Sequence, residues 1–129
     1  KKKVDQFLMK DVNHDSTMEV DWLMGSALFT RAEGLAKVGT FDERFFMYFE
    51  DTDLCWRFWA AGYKVVYYPE AVMVHYHRRA SADGSIFQQL RSPLTWRHIE
   101  SAYKFFRKYS GQPNPREFPQ LSSTSQPAG

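Results

Sequence analysis

Residues 41–63 read FDERFFMYFEDTDLCWRFWAAGY, and within them the run EDTD sets three carboxylates, Glu50, Asp51 and Asp53, between an aromatic stretch and an apolar one. Ionised carboxylates held against apolar surface are costly unless each finds a partner, so any fold this chain adopts must place something opposite them. Local pattern supplies part of the answer. Leu54, Phe58 and Ala61 recur at helical spacing and Gly62 stands where a helix would stop, which predicts a helix over 51–61 with the acidic run at its amino end. Backbone N–H groups and the macrodipole favour negative charge there by ~0.3–1 kcal/mol per carboxylate. Asp53 and Arg57, four residues apart, can also pair. That accounts for the run without any function. Two chemical readings stand beside it: AspThrAsp as a metal-binding pair that holds a nucleotide diphosphate, or one carboxylate as a general base positioned by the helix start.

The rest of the chain supplies the elements around this helix. VDWLMGSALF, residues 20–29, is apolar on both parities and reads as a buried strand with Gly25 at a bend or close backbone approach. Thr30 with Glu33 has the form of a capping box and Gly39 that of a stop, giving a short helix over 31–37. Beyond the acidic helix, 63–68 and 71–76 read as extended segments divided by Pro69, the second ending in HisTyrHis, and RRASADGS follows as a flexible basic turn. Ser92 and Pro93 suit the cap and first position of a helix reaching Tyr109. Trp96, Ile99, Tyr103 and Phe106 make an apolar stripe along it, flanked by Arg97, Lys104, Arg107 and Lys108. Such a stripe either packs on the domain or lies on an anionic membrane. The order of strand, helix, helix, two strands and long helix is α/β or α+β.

Composition narrows the class. Of 129 residues, 17% are aromatic, too many for a linker, while four of the six prolines fall after residue 111. Residues 1–18 therefore read as a polar lead-in, 19–111 as one domain, and 112–129 as a loosely attached Pro/Ser-rich tail. A net charge of +2 is too small for the dense basic face that nucleic acid requires, so no nucleic-acid partner is expected. The lone Cys55 rules out an intramolecular disulfide and a multi-cysteine zinc site. No apolar run approaches the ~20 residues of a membrane span and no signal peptide is visible. A cytoplasmic location, with peripheral contact at the inner face of the membrane, is the expectation.

From Val20 to Ser81 the chain resembles the second half of the catalytic domain of family-2 glycosyltransferases, in particular their rhamnosyltransferase-like branch. Three blocks carry the likeness in order: a strand with a Gly-small pair, a VGxFDExFFxYxEDxDLCxR block, and a PxAxVxH segment, covering residues 19–81. The resemblance implies an α/β fold that is a partial GT-A fold lacking its amino-terminal nucleotide-binding half. It also implies inverting transfer of a sugar such as rhamnose from a nucleotide-sugar donor to a glycan or lipid-linked acceptor in cell-surface polysaccharide synthesis. A divalent metal, Mg2+ or Mn2+, is implied together with the missing half.

The family's metal-binding DxD closes an earlier strand, whereas its EDxD block at a helix start supplies the base. By that likeness Asp51 is the base, Glu50 orients the base or the acceptor, and Asp53 with Arg57 is structural. Trp22 and Gly25 match the strand whose end lines the acceptor pocket, while Met24, Phe45, Phe46 and Tyr48 read as core. His75 matches a metal ligand, its ordinary alternative being a packed strand-end histidine. Arg78 and Arg79 suit a leaving diphosphate, or are solvated loop charges. Half a sheet leaves a bare edge and an apolar face, so self-association is expected, and the chain by itself is expected to be inactive. A reading from another class remains open, a non-catalytic carbohydrate-binding or assembly domain, because exposed Trp and Tyr suit sugar faces.

Overall fold

The computed structural model describes residues 9, 12–74, 76 and 91–117. Helices α1 (Ala32–Val38), α2 (Glu50–Ala60) and α3 (Pro93–Lys108) join strands β1 (Met18–Glu19) and β2 (Val66–Tyr67) in a mixed α/β arrangement. The strands pair antiparallel, Met18 opposite Tyr67 and Glu19 opposite Val66, and the ladder extends by one bond, from Val20 N–H to the Val65 carbonyl at 3.0 Å.

Each helix forms close to where its pattern places it, though neither expected side-chain cap is made. Arg31, not Thr30, is the residue before α1, and Ser92 precedes α3; both are extended and neither side chain bonds a helical N–H. α1 ends at Gly39, whose φ of 82° lets its N–H turn back to the Leu35 carbonyl at 2.7 Å. The strand expected over 20–29 is not formed. Beyond Val20 the segment runs as bends and turns over α2, with Val20 buried and Trp22, Leu23 and Leu28 packed against the core.

That core consists of Val20, Leu54, Cys55, Phe58, Trp59 and Val65. Burying a side chain the size of Leu or Phe contributes roughly 1.5–3 kcal/mol, so the apolar face of α2 is the chief stabilising surface. The Trp59 indole N–H donates to the Val20 carbonyl at 3.1 Å, which ties the incoming segment to that face and satisfies the ring's one donor. Gly34 lets α1 approach closely: a Cβ there would sit 2.8 Å from Phe58 Cε1.

α3 packs on α2 through rings. Phe105 lies 5.3 Å from Phe49 and 5.9 Å from Trp56, and Tyr109 lies 4.5 Å from Trp56. Ser101 and Phe105 are its buried residues, so the row Trp96, Ile99, Tyr103 and Phe106 is exposed rather than core-facing. Phe45 is core as expected, but Phe46 and Met24 are exposed. Residues 112–117, placed in the loose tail by sequence, fold back on β1, with Pro115 buried. Arg116 donates to Asp21 and to the Glu19 carbonyl and lies over the Trp59 ring.

Candidate active site

The acidic run opens α2 after a backbone conformation that is unfavourable for its residues. Tyr48 and Phe49 both have φ of 66°, a left-handed region that costs non-glycine residues on the order of 1–3 kcal/mol each. Aromatic packing holds them there. The His98 ring of α3 lies tilted 4.6 Å from Tyr48 and edge-on 5.6 Å from Phe49, and Phe105 and Phe106 close on Phe49. The Ser101 hydroxyl donates to the Met47 carbonyl at 2.8 Å, fixing the same turn. α3 thereby sets the direction in which α2 starts.

The three carboxylates then face three different surroundings. Asp53 is fully buried and fully engaged: it accepts Arg57 Nε at 2.8 Å, the Tyr109 hydroxyl at 2.8 Å, and Lys108 Nζ. Burial and the bond to Asp53 push the Tyr109 hydroxyl well above the usual phenol range, so it stays a donor. The Arg57 guanidinium continues to the Val38, Gly39 and Thr40 carbonyls, closing the end of α1. Asp53 is a structural node.

Asp51 points elsewhere, toward Gly25. Its Oδ2 accepts the Gly25 N–H at 2.8 Å, and its Oδ1 accepts the Thr52 N–H at 2.7 Å and the Thr52 hydroxyl at 3.3 Å. An ionised carboxylate offers about four lone-pair positions, and the described residues take three, leaving one on Oδ2. Gly25 is needed for the approach, because a Cβ would stand 3.3 Å from Asp51 Cβ and 3.4 Å from its Oδ2. Glu50 has a buried Oε2 without a hydrogen-bond partner among the described residues, and burial, with the neighbouring Asp51 adding to it, pushes its carboxyl above the usual range.

Of the residues singled out from the sequence, the structure brings together Asp51, Glu50 and Gly25, with Trp22 three residues earlier, half-buried against the core. His75, Arg78 and Arg79 lie outside the described residues. Sequence reasoning missed Thr52, whose N–H and hydroxyl hold Asp51, and the Lys108 and Tyr109 partners of Asp53. A Thr after an Asp at a helix start is a signal for the first; contacts 55 residues away leave none.

Residues 4–109 match the glycosyl transferase family group 2. The chain belongs to this family. Among curated relatives it is 48% identical over 61 residues to N-acetylglucosaminyl-diphospho-decaprenol L-rhamnosyltransferase of Mycobacterium tuberculosis (strain ATCC 25618 / H37Rv), covering 47% of this chain and 20% of that protein. It is 33% identical over 108 residues to rhamnosyltransferase WbbL of Escherichia coli (strain K12), covering 84% and 38%. Against the pre-mycofactocin glycosyltransferase of M. tuberculosis the figures are 34% over 83 residues, 61% and 17%. This family-2 glycosyltransferase chain thus spans less than two fifths of the length of these relatives, and no solved structure matches it significantly.

Family-2 glycosyltransferases generally use a divalent metal. Among the described residues of this one, no group of three or more His, Cys, Asp or Glu is arranged to hold an ion. Asp53 is saturated by cations and a hydroxyl, and Asp51 is largely occupied by backbone and Thr52. These residues by themselves do not fit a metal site. No helix among them is long and apolar enough to cross a membrane.

Proposed function

We infer that the protein carrying this chain is an inverting glycosyltransferase of the GT-A fold, with Asp51 as its general base. The observation that carries this is the division of labour within EDTD: Asp53 is buried in a closed network, while Asp51 keeps one acceptor position on Oδ2 next to Gly25. An acceptor hydroxyl bonding there gives its proton to Asp51 as its oxygen attacks the anomeric carbon, and the bond from that carbon to the donor's diphosphate oxygen breaks. Gly25 N–H and Thr52 hold the carboxylate still during the transfer, which limits the rotational freedom the reaction would otherwise remove. Glu50, half-buried beside Asp51 with its carboxyl held above the usual range by burial and by Asp51, flanks the base at the start of α2. Trp22 and Gly25 border the space for the acceptor.

The names of the relatives support rhamnose as the transferred sugar, and one of them supports a lipid-linked diphosphosugar as acceptor; a glycan acceptor rests on the resemblance of the sequence blocks. The exposed apolar side chains Met24, Phe29, Val72 and Val74 suit a surface against which the nucleotide-binding half of a GT-A domain packs. His75 as a metal ligand and Arg78 and Arg79 as neighbours of the leaving diphosphate complete the reading on the resemblance of their segment.

The test is Asp51→Asn in the full-length protein. Asparagine keeps one oxygen, enough for one of the two backbone N–H groups that Asp51 accepts, and cannot take up the proton, so turnover falls by roughly 10²-fold or more with circular dichroism unchanged. Transfer at the unsubstituted rate would show that Asp51 is not the base.

A further inference from the structure

Four residues of α3, spaced three or four apart and so on one side of the helix, each hold a different residue of the segment 42–49. Lys108 Nζ donates to Asp42 at 2.8 Å, Lys104 Nζ to the Arg44 carbonyl at 3.2 Å, and the Ser101 hydroxyl to the Met47 carbonyl at 2.8 Å. The His98 ring then lies 4.6 Å from that of Tyr48. Along the segment the numbers rise while along the helix they fall. The segment is therefore laid antiparallel on α3 and led by it to the first residue of α2.

What α3 leads there is strained. Tyr48 and Phe49 both have φ of 66°, and bulky side chains keep that conformation only while their surroundings over-determine it. Asp51 follows two residues later, with its Oδ2 on the Gly25 N–H at 2.8 Å. Relaxation of either aromatic residue to negative φ would rotate the first turn of α2 and draw the carboxylate off Gly25. Of the four contacts from α3, the hydrogen bond of Ser101 is the one that adjoins the strained pair. Ser101 is also 5% exposed, whereas His98 is exposed and Lys104 is shared with Glu100. Serine forms helix less well than alanine, and a hydroxyl taken out of water is unfavourable without a partner. Packing of α3 gives no reason for a serine at this position; the Met47 carbonyl does.

We propose that Ser101 is a positioning residue for the transfer reaction. Through the Met47 carbonyl it keeps Tyr48 and Phe49 left-handed, and through them it keeps Asp51 on the Gly25 N–H with its free acceptor position in place. Ser101 acts by way of the turn and not on the substrates. α3 lies outside residues 19–81, which carry the family's sequence blocks, and this gives the helix a part in the reaction. The proposal rests on the reading of Asp51 as the base.

Ser101→Ala and Ser101→Thr in the full-length protein test it, read by steady-state transfer and by the Gly25 amide resonance, which Gly25→Ala identifies by deleting it. Ser101→Ala is expected to lower kcat about tenfold, as a displacement well short of the ~1 Å that costs 10²-fold would. The donor KM stays unchanged, because the alignment matters in the transition state and not in donor binding. The thermal midpoint moves little, since the better helix propensity of alanine offsets the lost bond. The Gly25 amide proton shifts upfield as its bond to the carboxylate weakens. Ser101→Thr keeps the hydroxyl, and with it both the rate and the resonance. An unmoved Gly25 resonance in Ser101→Ala overturns the proposal, and so does full transfer by that variant with the resonance moved. A rate that falls only in step with the thermal midpoint in both variants makes Ser101 structural and overturns it too. Asp51→Asn judges the underlying reading separately: if that variant transfers at the unsubstituted rate, the base is lost from the argument whatever Ser101→Ala does to Gly25.

Discussion

At the scale of single residues, the site depends on a side chain that is missing. Gly25 has no conformational need to be glycine, since its φ lies outside the left-handed region; its role is to let the backbone N–H reach Asp51 Oδ2 at 2.8 Å. A methyl group there would meet Asp51 Cβ at 3.3 Å and Oδ2 at 3.4 Å, tighter than ordinary contact. Gly25→Ala is therefore expected to move the carboxylate by a few tenths of an ångström while leaving the exposed segment folded. Since displacements of about 1 Å can cost 10²-fold in rate, transfer by the full-length protein falls about tenfold, and the urea midpoint barely changes. Unchanged transfer by the Gly25→Ala variant would mean that this close contact does not position the base. The strained Tyr48 and Phe49 lie immediately before α2 and aim the first turn on which Asp51 stands.

At the scale of elements, Arg57 joins α1 to α2. Its side chain is 20% exposed and its partner Asp53 is fully buried, so Arg57→Met leaves a buried carboxylate short of a cation and strips donors from the Val38, Gly39 and Thr40 carbonyls. Breaking one side of a buried pair typically costs ~3–5 kcal/mol, and urea unfolding of the variant is expected to show a loss in that range. Transfer per folded molecule stays close to normal if Asp53 is structural, and a loss of rate with no loss of stability would reverse that assignment. The Asp53 and Arg57 pair was legible in the sequence because helical spacing alone puts residues four apart together. The three helices were legible for the same reason, their signals being local. The strand expected over 20–29 was not, because an apolar run reports burial but not which segment will supply ladder bonds, and among the described residues only Val20 finds one. The outward row of α3 shows the same limit: periodicity marks Ile99, Tyr103 and Phe106 as one face, but which face meets α2 is decided by Phe105 and Ser101 and their distant partners. In the candidate site, Asp51 and Gly25 were reached through a family pattern, and their hydrogen bond needed the fold.

At the scale of the whole molecule, charge pairs close the turn at 40–49 against the end of α3. Asp42 accepts the Arg44 guanidinium and N–H and also Lys108 Nζ at 2.8 Å, so one carboxylate joins the turn to the helix whose Lys108 also reaches Asp53. The hydrogen bonds from Arg44, with Lys108 adding to them and burial opposing, hold the Asp42 carboxyl well below the usual carboxylate range. Its folded value is lower than its unfolded one, so folding favours the ionised form. The resulting stabilisation is complete above the unfolded value near 3.8 and is lost as pH falls from there through the folded value. Because the group is solvent-facing in part, the contribution is set at the scale of a surface pair, on the order of 1 kcal/mol. Asp42→Asn is then expected to be less stable than the unsubstituted protein near pH 6, with a shallower decline in stability below pH 4 and convergence of the two at more acid pH. Urea unfolding followed by tryptophan fluorescence across that range measures the difference directly, since Trp56 and Trp59 sit in α2 beside the junction. A gap between the two proteins that stays constant at every pH would mean that the Asp42→Asn change acts through packing alone, and that the carboxylate does not fasten α3 to the turn that aims the candidate base.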